Sequence, residues 1–546
     1  MKNIAIYIAF LLLSLHVAAQ TPKHEVRAVW LTTIGGIDWP RSYNAQKQRK
    51  ELSATLDRLQ AAGVNTVLLQ TRIRATTIFP STMEPWDGVM TGQPGQSPGY
   101  DPLQVAVDEC HRRGMELHAW VVTIPVGKWN CVGCRTLRRN YPSLVRKIGD
   151  EGYMNPAMPQ TAAYLARFCG DIARRYDVDG IHLDYIRYPE QWPRPRRSGE
   201  AAERRSHITA IVSAVSAAVK AEKPWLRLSC SPIGKYDDLL RYRSGGWNAR
   251  QAVSQDAQLW LRMGMMDQLY PMMYFRDNQF FPFAIDWQEH ACGRMVVPGL
   301  GIYFLDPHEG TWKLSDVTRQ MYVSRQLGMG HCFFRSRFLT DNVKGIYNFT
   351  RHFNSTPALT PPMYWMQKQP PTAPEGLRLN GTLLSWIAAR NRNDSPYLQY
   401  NVYASDTYPV KTDEAENLVA MHVNQTAIRI PTKPRRYYAV TAMDRYGQES
   451  SPCQMAQPER PMPWLVTDDV MRTDGRRLFI PMKPSTLDAD YLVIETLQGA
   501  PVAVYSFSGQ YADISRLPEG IYVMRSMGRK KRNHRLGFFS IRRKQK

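Results

Sequence analysis

The chain has 546 residues, 43% of them hydrophobic and 22% charged; this is ordinary for globular protein, excludes a disordered or fibrous chain, and is too long for one core, so two to four domains are expected. Seventy Lys and Arg against 48 Asp and Glu leave a net charge of +22, which points to an anionic partner (nucleic acid, lipopolysaccharide or an acidic polysaccharide) or to a generally solvated basic surface. Basic residues gather at Arg529–Arg532 and Arg542–Lys544 without a nucleic-acid motif beside them, so no nucleic-acid partner is expected.

In chain order, Lys2 precedes an apolar run from Ile4 to Val17, closed by Ala18-Ala19-Gln20. This reads as a secretory signal over residues 1–20, too short for a stable membrane span, and predicts an exported protein of the periplasm, outer surface or medium. No later stretch is long and apolar enough to span a bilayer. Cys131-Val-Gly-Cys134 is a lone pair without a second pair at zinc spacing, so it reads as a loop disulfide or two free thiols.

Residues 21–355 alternate short apolar runs with helical segments. The runs begin at Val26, Asn65, Glu116, Val178, Leu226, Gln268, Arg294 and His331. Helices are expected over about 45–62, 101–113, 160–176, 202–221, 249–263, 316–327 and 342–353. Asp101-Pro102 is a helix start, with Asp as the cap and Pro in the first turn. Eight strand–helix repeats predict an α/β (β/α)8 TIM barrel. The doubly wound alternative lacks a Gly-rich phosphate loop after its first strand. Residues 356–373 are Pro-rich and read as a linker. An all-β domain is expected over 374–458. Its Trp386, its Tyr-rich strand and the turn Ala442-Met-Asp-Arg-Tyr-Gly447 resemble a fibronectin type III sandwich. Short strands over 462–546 suggest a small β-domain with a basic tail. Its segment Asp513–Met524 resembles C-terminal β-domains of exported Bacteroidetes proteins, some of which are sorting signals.

Barrel chemistry sits where strands end and the following loops begin. The fourth run, Val178-Asp-Gly-Ile-His-Leu-Asp-Tyr-Ile-Arg-Tyr-Pro189, changes there from apolar to polar. His182 and Asp184 share one side of that strand. Arg187 follows them at the end of the same strand, and Arg72, His118, Trp120, Tyr274 and Tyr303 fall at other strand ends. Aromatic rings stack on sugar C–H faces while polar tips bond hydroxyls, so these residues are expected to bind a polysaccharide, and Arg72 and Arg187 could hold an acidic substituent or form structural ion pairs. His118 could equally be a core histidine.

Arg27-Ala-Val-Trp30, Gly63-Val-Asn-Thr66, Gln70-Thr-Arg72, Gly99-Tyr-Asp-Pro-Leu103, Gly114-Met-Glu-Leu-His-Ala-Trp120, Asp179–Pro189 and Pro271-Met-Met-Tyr274 together resemble the glycosyl hydrolase-like 10 family of bacterial proteins. The resemblance spans residues 25 to about 340. It implies a TIM barrel and a glycoside hydrolase without cofactor, with peptidoglycan glycan strands or another N-acetylhexosamine polymer as substrate.

Asp184 is the expected acid/base carboxyl. The partner carboxyl is sought in the loops after strands seven and six, at Asp306 first and Asp277 second, with Glu84 also in reach. The fourth strand is similar to the Asp-Gly-x-Asp-x-Asp-x-Glu strand of chitinase-type barrels, but Ile186 stands in place of its terminal Glu. Tyr274 sits as does the chitinase Tyr that helps hold an N-acetyl group. A metal site of His118, His182 and Asp184 lacks regular ligand spacing, so no metal is expected. A non-catalytic carbohydrate-binding surface protein, and an adhesin that uses the barrel as scaffold, are the alternatives.

Overall fold

The computed structural model describes residues 21–240, 242, 246–366, 368–430, 435–455, 471, 473, 476–480, 491–506, 511–527 and 533–541. The expected signal over 1–20 and both basic clusters of the tail lie outside them. The chain divides into two compact units, Met1–Met455 and Ala456–Lys546.

The first unit is built on a parallel sheet. Its strands are Arg27–Leu31, Thr66–Arg72, Glu116–Val122, Gly180–Asp184, Arg227–Cys230, Gln268–Leu269, a seventh in two pieces (Met295–Val296 and Gly299–Leu300), and His331–Phe333. Met295–Val296 pairs with the sixth strand and Gly299–Leu300 with the eighth, so the two ends of the sheet are consecutive stretches of one strand and the sheet closes on itself. Pro298 causes the break: it has no N–H for the ladder, although its carbonyl still accepts from the Cys332 N–H at 3.0 Å.

Alternation sorts side chains into two cores. Val29, Leu31, Val67, Leu69, Leu117, Val121, Ile181 and Leu183 face outward onto the helices. Ala28, Trp30, Leu68, Trp120, Tyr270 and Cys332 fill the barrel interior. Because these strands are buried on both faces, they read as continuous apolar runs.

The expected helices at 45–62, 101–113, 160–176 and 202–221 are found at Ala45–Ala61, Pro102–His111, Pro159–Arg175 and Glu200–Glu222. Asp101 caps the second of these, its carboxylate accepting from the N–H groups of Leu103 and Gln104. The segment expected as one helix over 249–263 is two short helices, Ala249–Ala252 and Ala257–Arg262, separated at Ser254, whose φ of 63° no continuous helix accommodates. Three elements had no counterpart in the periodicity: a helix at Phe281–Glu289, and an insertion after the third strand holding the helix Val132–Asn140 and a small antiparallel sheet of Pro125–Lys128, Glu151–Met154 and Val145–Ile148.

Beyond the barrel lies an all-β region. A three-stranded sheet (Glu375–Asn380, Leu383–Ile387, Ala427–Arg429) and a four-stranded sheet (Leu418–Val423, Gln399–Ser405, Tyr437–Met443, Cys453–Gln454) share one core around Leu384, Trp386, Tyr400, Val402 and Val440. The Pro-rich segment before it packs on the barrel: Leu359 and Met363 are buried, and Thr360 Oγ1 donates to Glu116 Oε1 at 2.5 Å. The second unit has its own core of Leu478, Leu492, Ile494, Met524 and Phe539, shared by a two-stranded and a four-stranded sheet.

Candidate active site

The fourth strand points three residues inward, and each meets a different level of the barrel. Gly180 leaves room for the His118 ring, whose Nδ1 would lie 2.5 Å from a Cβ at position 180. One level up, His182 Nε2 accepts from Trp30 Nε1 at 3.2 Å, and its Nδ1 meets Ser229 Oγ at 3.0 Å. Burial, and then neighbouring His118, hold the His182 pKa well below the ordinary value, so the ring is neutral. Asp184 is the top level, at the mouth.

Three donors aim at Asp184. Ser231 Oγ and the Tyr185 N–H each reach Oδ1 at 2.8 Å, and Trp120 Nε1 reaches Oδ2 at 3.1 Å. Tyr185 itself adopts a left-handed φ of 53°, a conformation that costs a non-Gly residue about 1–3 kcal/mol. Burial raises the Asp184 pKa above the ordinary carboxyl value, only partly offset by the charge of Arg187 and by the three hydrogen bonds.

Asp184 faces a cavity of about 460 Å³. Trp120 and Tyr274 line it from the barrel; Glu151 and Tyr153 line it from the inserted sheet; Tyr185 and Glu190 line it from the loop after strand four. Burial raises the Tyr274 pKa well above 10, which keeps its hydroxyl a donor. Tyr153 donates to Glu151 Oε2 at 2.9 Å. Glu190 pairs with Arg187 at 2.6 Å, and that guanidinium lies over the Tyr185 ring, 4.2 Å from its centroid.

Of the residues expected from sequence, the structure thus brings Trp120, Asp184 and Tyr274 to one cavity, with His182 directly below and Arg187 behind its wall. Tyr303 packs edge-on against Tyr274 with ring centroids 5.7 Å apart. The other positions are engaged elsewhere. Arg72 is fully buried in a forked pair with Glu84, 2.7 Å at its shortest, and also donates to the Val122 and Thr123 carbonyls. His118 turns its Nε2 toward Glu116 at 3.3 Å near the foot of the barrel. His118, His182 and Asp184 therefore belong to successive levels, and among the described residues no group of three His, Cys, Asp or Glu could hold a metal. Asp306 accepts from the His308 N–H within its own turn, and Asp277 is exposed and pairs with Arg319 at 3.4 Å; neither lines the cavity.

The carboxylates that do share the cavity with Asp184, Glu151 and Glu190, escaped the sequence reading. A usable signal was length: 36 residues separate the third strand from the helix Pro159–Arg175, far more than the usual few of a strand–helix loop, which marks a built insertion. Within it, Cys131 and Cys134 are unbonded thiols. Cys131 Sγ accepts from the Cys134 N–H at 3.5 Å and starts the inserted helix.

The sequence model described as glycosyl hydrolase-like 10 matches residues 25–199 and 196–303. "Glycosyl hydrolase YngK" of Bacillus subtilis (strain 168) is 27% identical over 470 residues, 78% of this chain and 92% of that protein. "Glycosyl hydrolase DigH" of Escherichia coli (strain K12) is 30% identical over 294 residues, 47% of this chain and 67% of that protein. Among solved structures, the PgaB (BpsB) glycoside hydrolase domain from Bordetella bronchiseptica superposes with a TM-score of 0.42 at 13% identity, covering 60% of this chain and 98% of that domain.

Proposed function

The chain belongs to the glycosyl hydrolase-like 10 family and is a glycoside hydrolase, and from that premise we propose that Asp184 is its general acid. The observation that carries this is a single carboxyl, buried at the mouth, facing the cavity and pushed up in pKa by that burial. A protonated Asp184 gives its proton to the glycosidic oxygen as the bond from that oxygen to the anomeric carbon breaks, and water from solvent then bonds to that carbon and returns a proton to the site. Glu151 is the partner that faces the developing positive charge on the sugar. It lines the same cavity and is held by the neutral Tyr153 hydroxyl, whereas the charge of Glu190 is already met by Arg187. This choice replaces Asp306 and Asp277, which lie off the cavity.

We infer further that the substrate is an N-acetylhexosamine polymer such as peptidoglycan glycan strands. A phenol at the cavity wall, Tyr274, supports this reading, since its hydroxyl is a donor of the kind an N-acetyl carbonyl accepts from. The apolar run at Ile4–Val17 supports action outside the cytoplasm. Among the described residues, no helix is long and apolar enough to cross a membrane. The two-sheet sandwich behind the barrel, three strands on four, supports its reading as a fibronectin type III-like domain.

The test is product analysis by mass spectrometry after incubation with peptidoglycan glycan strands, chitin oligomers and acidic glycans. Asp184→Asn is expected to lower release from the preferred glycan by about 10²–10⁴-fold with an unchanged circular dichroism spectrum. Wild-type rates in that variant would overturn the role of Asp184.

A further inference from the structure

The insertion after the third strand does more than supply Glu151 and Tyr153. Residues 125–154 carry six Lys and Arg against two Asp and Glu, a net of +4. Arg135, Arg139, Arg146 and Lys147 are all exposed, and none of these four pairs with a carboxylate among the described residues. Two tryptophans hold three of the six cations instead, Arg138, Arg146 and Lys147. Trp129 has the Arg138 guanidinium 3.8 Å from its ring centre and the Lys147 ammonium at 5.6 Å. Trp192, on the loop after strand four, has the Arg146 guanidinium at 4.9 Å. An ion pair would neutralise these cations, whereas an aromatic face positions them and leaves the charge available. The same small sheet lines the Asp184 cavity through Pro125, Gly127, Glu151 and Tyr153, and Trp192 adjoins the cavity residue Gln191. The cations therefore sit on the same small lobe that supplies part of the cavity wall.

We propose that this inserted lobe is a binding surface for an acidic glycan, one bearing carboxylates or phosphates along its chain, which it holds next to the cleavage site. The proposal rests on the glycoside hydrolase reading for its choice of a glycan. Cations fixed on indole faces present discrete charges to acidic groups spaced along a sugar chain, and salt weakens such contacts because they are exposed.

The experiment uses the full chain carrying Asp184→Asn, so that binding is read without turnover and separately from the catalytic assignment. The probes are polygalacturonate and its methyl ester, the same backbone with and without charge, in affinity electrophoresis at rising salt. Retardation by polygalacturonate alone is expected, lost at a few tenths molar salt. The combined variant Arg135→Gln, Arg139→Gln, Arg146→Gln and Lys147→Gln is expected to weaken it at least about tenfold. The melting temperature of that variant controls for its fold, and Lys147→Gln alone, expected to give a smaller loss, stands in if the combined variant unfolds. Equal retardation by the ester, or unchanged binding in folded variants, would overturn the proposal. So would displacement by a single-stranded DNA oligonucleotide as effective, charge for charge, as by polygalacturonate, since that marks a general polyanion surface. Binding that persists while wild-type protein releases nothing from any glycan would sink the catalytic reading and leave the lobe standing.

Discussion

Asp184 is pulled two ways: burial favours its protonated form, while Arg187 and three hydrogen bonds favour the carboxylate. The sign of the pH dependence follows. An acid with a raised pKa is active below that pKa and loses activity as pH rises through it. Arg187 works against the raise, so Arg187→Gln is expected to lift the Asp184 pKa further and carry the falling limb of the kcat/KM profile upward by about one pH unit. A profile that keeps its limbs while the maximum drops would reduce Arg187 to a packing role. The Asp179 that precedes the strand is occupied quite differently: its carboxylate takes His111 Nε2 at 2.9 Å and the Leu117 N–H at 2.8 Å, and it ties down the foot of the strand. Sequence similarity to a chitinase-type motif thus covers residues in unrelated surroundings, because one end of a barrel strand opens on the cavity and the other is its base.

At the scale of elements, the mouth is assembled from loops that secure themselves before they meet a substrate. The loop after strand two returns Glu84 to Arg72, with side chains 1% and 0% exposed, and Tyr164 adds its hydroxyl to Glu84 Oε1 at 2.9 Å. Arg72 is therefore committed to structure. Glu84→Gln leaves a buried guanidinium uncompensated and is expected to cost about 3–5 kcal/mol, read as a lower urea midpoint at unchanged slope. A loss below about 1 kcal/mol, the value of an exposed pair, would show that Arg72 finds other partners. The strands of this barrel were legible because each repeats a short local pattern. The inserted sheet was not: its strands are four residues each, and what makes them strands is pairing with one another.

For the first unit as a whole, the sandwich and the barrel share charges. Arg445, in the turn after Tyr437–Met443, reaches Asp179 at 3.0 Å and Asp177 at 3.4 Å. Tyr397 donates to Asp177, and Trp225 meets Tyr446 edge-on at 6.5 Å. Met363 N–H donates to the Tyr446 carbonyl at 2.8 Å, so the Pro-rich segment is held by both partners. These contacts couple the two folds, and calorimetry on residues 21–455 is expected to give one unfolding transition that Arg445→Met shifts to lower temperature. Two resolved transitions in the unaltered protein would show that barrel and sandwich unfold independently.

The sequence by itself determined the barrel strands, most of the helices and the all-β character that follows, and it singled out Asp184, which the fold carries to the cavity. All of these rest on local regularities: alternation along a strand, the helical period, caps, and the change from apolar to polar at a strand end. Tertiary structure alone decided which carboxylates accompany Asp184. Glu151 and Glu190 reach the cavity through an insertion and a loop whose shape is set by contacts between residues distant in the chain, while Asp306 and Asp277, adjacent to strand ends in sequence, are turned away by the course of their own loops. Position along a strand is written locally; the meeting of side chains from different loops is a property of the closed barrel.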